Sequence, residues 1–172
     1  SSPCILFAGE ADSGGRVAAK EVADLVAGRT GSERVMELSE AAADMLAASE
    51  FDFFVLVVEC EQDGELVMPA RKFLRAMKKI GAGRTASKFC TLCLASSTCS
   101  FSSMSAGDDK FKGGRKLTDA VKLFGLQEMC KMSCLDVGVE DIVAHVQRWT
   151  GEILRDSEQI VEDFQPERHQ PS

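Results

Sequence analysis

Residues 55–65 read Val55-Leu56-Val57-Val58-Glu59-Cys60-Glu61-Gln62-Asp63-Gly64-Glu65, an apolar run that breaks into an acidic loop containing a glycine. A run of this kind predicts a buried central strand whose C-terminal end opens into a site. In an open α/β sheet, ligands bind in the crevice beyond the carboxyl ends of the strands, so the chemistry of this loop should reveal the ligand. Here that chemistry is mostly negative.

On the N-terminal side, Pro3-Cys4-Ile5-Leu6-Phe7-Ala8 ends in Gly9 and predicts a buried first strand. From Gly14-Gly15 onward, Ala18, Ala19, Val22, Leu25 and Val26 recur at three- and four-residue spacing, which predicts an amphipathic helix stopping near Gly28. Val35 to Leu38 reads as a second strand, Ser39-Glu40 opens an alanine-rich helix through Leu46, and Phe51 to Cys60 is the strongest strand.

Beyond the acidic loop, Phe73, Leu74, Met77 and Ile80 share one helical face, while Arg71, Lys72, Arg75, Lys78 and Lys79 form a basic, solvated exterior. Phe89 to Ala95 is a fourth strand leading into the polar loop Ser96 to Ser100, and 105–114 reads as a mobile excursion. Leu117, Val121 and Phe124 mark a helix closed by Gly125. A fifth strand spans roughly Gln127 to Leu135, and Ile142 to Leu154 forms the last amphipathic helix.

The alternation predicts an α/β fold, a doubly wound, three-layer parallel sheet of five strands, with right-handed crossovers favouring the order 2-1-3-4-5. Residues 1–154 form this domain, and 155–172, rich in acidic and polar residues with Pro166 and Pro171, read as a tail or linker.

At 172 residues and 45% apolar, the chain fits one compact domain plus a tail. The net charge of −7 argues against a nucleic-acid surface, which needs clustered Lys and Arg, and favours basic protein partners. No run is long and apolar enough for a membrane span, and no secretion signal opens the sequence, so a cytoplasmic location is expected. The opening Ser1-Ser2-Pro3, without methionine, suggests a stretch cut from a longer polypeptide. Seven cysteines, an odd number, read as reduced thiols rather than a disulfide framework.

The order of elements and loops over residues 3–154 resembles a flavodoxin-like domain, specifically the FMN domain of diflavin reductases of the NADPH-cytochrome reductase type. The family places G-S-x-T-G-T after strand one, and Gly9-Glu10-Ala11-Asp12-Ser13-Gly14 lies on it without gaps, with Gly9 retained. The family's second loop, A-T-Y-G-E-G-x-P-T-D-N-A, falls on Glu59 to Ala70, where Asp63, Gly64 and Ala70 keep the pattern. The third, F-G-L-G-N-x-x-Y, falls on Leu92 to Cys99, where Leu94 and the loop length survive. Phe124-Gly125-Leu126 is similar to the close of the family's fourth helix, and Trp149 sits where its last helix carries a tryptophan.

The resemblance implies an FMN site built from Gly9, Asp12, Ser13, Gly14 and Gly15 on the phosphate side. Cys60, Glu61, Asp63, Gly64, Ser96, Ser97, Thr98 and Cys99 would surround the ring. FMN requires amides and hydroxyls for its phosphate, aromatic faces for its ring, and a loop near its redox nitrogen. Asp12 occupies a threonine position, with Glu10 beside it. A carboxylate about 5 Å from a dianion, at an effective dielectric of about 20, costs roughly 6 kcal/mol as an upper-end figure. Arg16, or a shifted cradle of Ser13, Gly14 and Gly15, would offset part of this. The chain has no tyrosine, and the family's two tyrosine positions fall on Glu61 and Cys99. Phe101 reads as packing or as a substitute ring.

Cys90 and Cys93 have C-x-x-C spacing, but lie within one strand, where an odd offset turns them to opposite faces and away from a shared metal. Cys60, Cys93, Cys99 and Cys134 should gather near the carboxyl ends of neighbouring strands, as a thiol cluster or as apolar filler. His145 shows no Ser or Cys partner in the sequence, and His169 belongs to the tail. No catalytic residue is expected. The functional expectation is a module related to FMN electron-transfer domains, with weak or lost FMN binding, acting through a protein partner such as a basic redox protein or a reductase module. The alternatives are a working FMN oxidoreductase domain with a rearranged site, and thiol redox or metal chemistry at the cysteines.

Overall fold

The computed structural model describes residues 2–9, 19–81, 85–96 and 109–163, with side chains as far as Arg155. In chain order the elements are β1 (Cys4–Ala8), α1 (Ala19–Thr30), β2 (Arg34–Glu37), α2 (Glu40–Ala47) and β3 (Phe53–Glu59). They continue as α3 (Met68–Ile80), β4 (Lys88–Ala95), α4 (Lys112–Phe124), β5 (Gln127–Glu128), β6 (Ser133–Asp136) and α5 (Ile142–Asp163).

The sheet runs β2-β1-β3-β4-β5, with β6 also paired to β4, and every pairing is parallel. This is the expected order. All seven residues of β3 are buried, as a central strand covered on both faces must be. Alternation along the strands divides the core in two. Leu6, Phe54, Leu56, Val58, Phe89 and Cys93 pack with α2, α3 and α4, whereas Ile5, Val55, Val57, Cys90, Leu92 and Leu94 pack with α1 and α5.

Four expectations change. Gly28 does not stop α1: the helix runs to Thr30, whose Oγ1 donates back to the Val26 carbonyl at 2.9 Å, and Gly31, at φ +71°, makes the left-handed exit. The fifth strand is two segments, β5 and β6, because the chain leaves the ladder between Glu128 and Ser133. Lys112, Gly113 and Gly114 are the first turn of α4 rather than the end of a loop excursion. Finally, α5 continues to Asp163, well into the segment 155–172.

Other signals hold. Ser39 accepts from the Ala42 amide as the N-cap of α2, and Gly125, at φ 129°, closes α4. Among the described residues no helix is long and apolar enough to cross a membrane.

Candidate functional site

The strand order reverses direction between β1 and β3, and in this topology that switch point is where a ligand is received. Two residues meet there. Gly9 follows β1, and Glu59 ends β3 with only 2% of its surface exposed. A Cβ on Gly9 would lie 2.6 Å from Glu59 Oε2 and 2.9 Å from the Ala19 Cβ. Gly9 is therefore required for close approach, and the two ends of the β1–α1 connection converge on a buried carboxylate. Of the phosphate-side residues named from sequence, Gly9 is placed at this point. Asp12, Ser13, Gly14 and Gly15 lie outside the described residues, as do Ser97, Thr98, Cys99 and Phe101.

The loop after β3 is a closed turn. The Glu61 amide donates to the Glu65 carbonyl at 2.7 Å, the Gly64 amide to the Glu61 carbonyl at 2.9 Å, and Cys60 and Leu66 form an antiparallel bridge. Gly64 has φ +85°, and the Gly113 amide donates to its carbonyl at 2.7 Å. A Cβ on Gly113 would come within 2.5 Å of the Leu66 nitrogen, so the glycines opening α4 let the helix press against this turn.

The acidic rim is internally paired. Glu61 meets Arg71 at 3.2 Å, and Glu65 meets Lys116 at 3.1 Å and Lys112 at 3.2 Å. The Asp63 carboxylate accepts from the Glu65 amide at 3.0 Å. Asp109 accepts from Arg115 at 2.6 Å and from the Phe111 amide at 2.9 Å, which anchors the approach to α4. The Lys116 and Lys112 ammonium groups hold the Glu65 carboxyl below its usual range, and Arg115 does the same for Asp109. Arg71, read from sequence as part of a solvated exterior, instead meets Glu61, while no local pattern joins Glu65 to Lys116, 51 positions away.

Two of the expected thiols do meet. Cys60 Sγ and Cys93 Sγ lie 3.4 Å apart, on the face that packs against α4. Cys134 is paired in register with Cys93, and Ser96 directly follows β4. A Cβ on Gly114 would run into the Cys93 sulfur, lie 2.8 Å from its Cβ, and lie 2.9 Å from Met132 Sδ. The hydrogen bond from Cys93 draws the Cys60 thiol below its usual pKa, aided by the Gly114 and Gly113 amides at the start of α4 and opposed by burial and Asp109. Cys93 is held well above its usual value by that same hydrogen bond and by burial. The remote Cys4 behaves as filler, with burial pushing it up to about 11. Cys90 and Cys93 do fall in different cores, and among the described residues no group of three or more His, Cys, Asp or Glu can hold a metal ion.

His145 has the partners that the sequence did not disclose. Its Nε2 lies 2.8 Å from Ser133 Oγ, and its Nδ1 lies 3.0 Å from Glu140 Oε1. Glu140 Oε2 also accepts from the Asp136 amide at 2.7 Å. Burial raises the Glu140 pKa, but the Asp136 amide and His145 outweigh it and leave the carboxyl below its usual range. The Ala144 amide donates to Asp141 Oδ1 at 3.1 Å, so the cluster ties the start of α5 to β6.

Against solved structures, the chain is similar to oxidised Flavodoxin 2 from Bacillus cereus, with a TM-score of 0.68 at 15% identity, covering 92% of this chain and 99% of that one. It is similar to oxidised Flavodoxin 1 from the same organism, with a TM-score of 0.65 at 19% identity over 90% and 98%. The chain has the flavodoxin fold. A third match is the Fusobacterium nucleatum flavodoxin bound to flavin mononucleotide, with a TM-score of 0.62 at 13% identity over 90% and 98%. No family model matches the chain, and no curated protein is similar to it in sequence. The shared fold makes the crevice beyond β1 and β3 the candidate site, while its chemistry must be read from this chain's own residues.

Proposed function

We propose that this flavodoxin-fold chain is related to the FMN electron-transfer domains of diflavin reductases, binds FMN weakly or not at all, and acts through contacts with a protein partner. The observation that carries the reading is Glu59. Its carboxylate is buried beneath Gly9, where the β1–α1 connection begins and where this topology presents amides to a phosphate. A carboxyl group at this position supplies no donor of the kind a phosphate dianion needs, and as a carboxylate it would oppose one. The turn from Cys60 to Gly64 brings no aromatic face to a ring, and the chain contains no tyrosine to supply one. These residues do not fit FMN held in the usual manner. The net charge of −7 favours a basic partner, a redox protein or a reductase module. The rim is not the source of that docking charge, since Glu61 and Glu65 are already paired.

A second reading, a working FMN domain with a rearranged site, draws support from those same ion pairs. Arg71, Lys112 and Lys116 offset the negative charge that would otherwise face an anionic reduced flavin. The Gly64 turn also retains its left-handed geometry and its contact with α4. When bound, FMN would supply one- and two-electron transfer. The two readings separate on the visible spectrum of the purified chain and a titration of FMN fluorescence. Colourless protein that leaves micromolar FMN unquenched supports the first; yellow protein or micromolar quenching establishes the second.

A further inference from the structure

We propose that Cys60 and Cys93 are a redox pair, which a small hydroperoxide converts reversibly into a disulfide across the floor of the crevice. The pairing is spatial and specific. The two sulfurs are 3.4 Å apart although their residues are 33 positions apart, and neither belongs to a C-x-x-C unit with the other. A filler cysteine needs only apolar surroundings, as the buried Cys4 has. Cys60 and Cys93 instead share a hydrogen bond between their thiols, on the core face that packs against α4.

The roles divide according to surroundings. Cys60, just past the end of β3 and the less deeply buried of the two, attacks; Cys93, held within β4, resolves. The Cys60 sulfur attacks one oxygen of the hydroperoxide, the O–O bond breaks, and the other oxygen leaves as an alcohol, or as water when hydrogen peroxide is the oxidant. Cys60 is then a sulfenic acid. The Cys93 sulfur displaces the hydroxyl from the Cys60 sulfur, forming the S–S bond, and the Cys93 proton leaves with that hydroxyl as water. Two thiols lose two electrons and two protons, and the hydroperoxide takes up both.

Burial selects the oxidant. Cys60 is 2% exposed and Cys93 is fully buried, which favours a small neutral peroxide over a bulky disulfide as the oxidant. Closing the pair to about 2.05 Å requires the sulfurs to approach by more than an ångström. Cys60 is the member that can move, because it lies just past the end of β3 in an isolated bridge, whereas Cys93 sits mid-strand in β4 under Gly114. Movement of Cys60 draws on the Glu61–Gly64 turn and, through the bond between Gly113 and Gly64, on the start of α4. A dithiol reductant attacking the disulfide by thiol exchange returns both cysteines to thiols.

The test is hydrogen peroxide treatment of the full native chain, followed by denaturing alkylation and peptide mapping. The expected result is loss of two of the seven thiols as a Cys60–Cys93 cross-link, restored by dithiothreitol. In Cys93→Ser, a dimedone-reactive sulfenic acid should accumulate at Cys60, and in Cys60→Ser, Cys93 should remain a thiol. Retention of Cys60 and Cys93 as thiols while the more accessible Cys130 oxidises, or a cross-link between other cysteines, overturns the proposal. If either variant fails to fold, the wild-type map alone decides. None of these readouts depends on FMN.

Discussion

The rim and the floor of the crevice lie within a few residues of one another and obey different physics. On the rim, Glu61 and Glu65 are half-exposed and answered by Arg71, Lys112 and Lys116. On the floor, Glu59, Cys60 and Cys93 are buried, and glycines press directly against two of them, Gly9 on Glu59 and Gly114 on Cys93. The eye is drawn to the rim because its charges are dense in the sequence. Water and counter-charges blunt those charges, so the rim has little leverage on stability or on a ligand. Floor groups are shielded from water and closely packed, and there a single methyl or a single carboxylate decides what fits.

The largest expected effect lies on the floor. Gly114→Val places a branched side chain against Cys93 and Met132, and should destabilise by about 1–3 kcal/mol or more. Chemical denaturation followed through the single tryptophan, Trp149, measures this. A change within experimental error would show that α4 can retreat and that the floor is not close-packed. Gly64→Ala comes next. It forces an L-residue to φ +85° beside the Asp109 carbonyl, and should cost about 1–2 kcal/mol by the same assay. A neutral outcome would mean that the turn relaxes freely.

On the rim, Glu65→Gln removes the partner of two lysines that are themselves largely exposed, and should cost at most about 1 kcal/mol, less in high salt. A loss comparable to that of Gly114→Val would erase the contrast. The smallest effect is on pH dependence. Glu65 and Asp109 have folded pKa values below their unfolded values of about 4.5 and 3.8. Their contribution is therefore fully present above those values and is lost as pH falls through the lower folded values. Wild type should show a shallow loss of stability below about pH 4.5, and Glu65→Gln a shallower one.

Much of the fold was legible because its signals are local. The runs of β3 and β4, the Ser39 cap and the Gly125 stop are each contained in a few residues. Gly28 misled because a glycine inside a helix is tolerated, and the left-handed exit is supplied three residues later by Gly31. Gly113 and Gly114 read as loop for the same reason. Only the close approach to Leu66 and Cys93 explains two glycines in a first helical turn. The site was less legible because its pairings are long-range. Nothing local joins Glu65 to Lys116, Cys60 to Cys93, or Ser133 to His145. Glu59 stood in the stretch first singled out, yet its importance lies in burial against Gly9, which composition does not convey.

The most direct measurement is FMN affinity by fluorescence quenching, in wild type and in Glu59→Gln, which keeps the shape and removes the charge. The account predicts a colourless wild-type protein that leaves micromolar FMN unquenched, and binding at least about tenfold tighter in the variant. A yellow wild-type protein, or micromolar quenching that Glu59→Gln leaves unchanged, would contradict it.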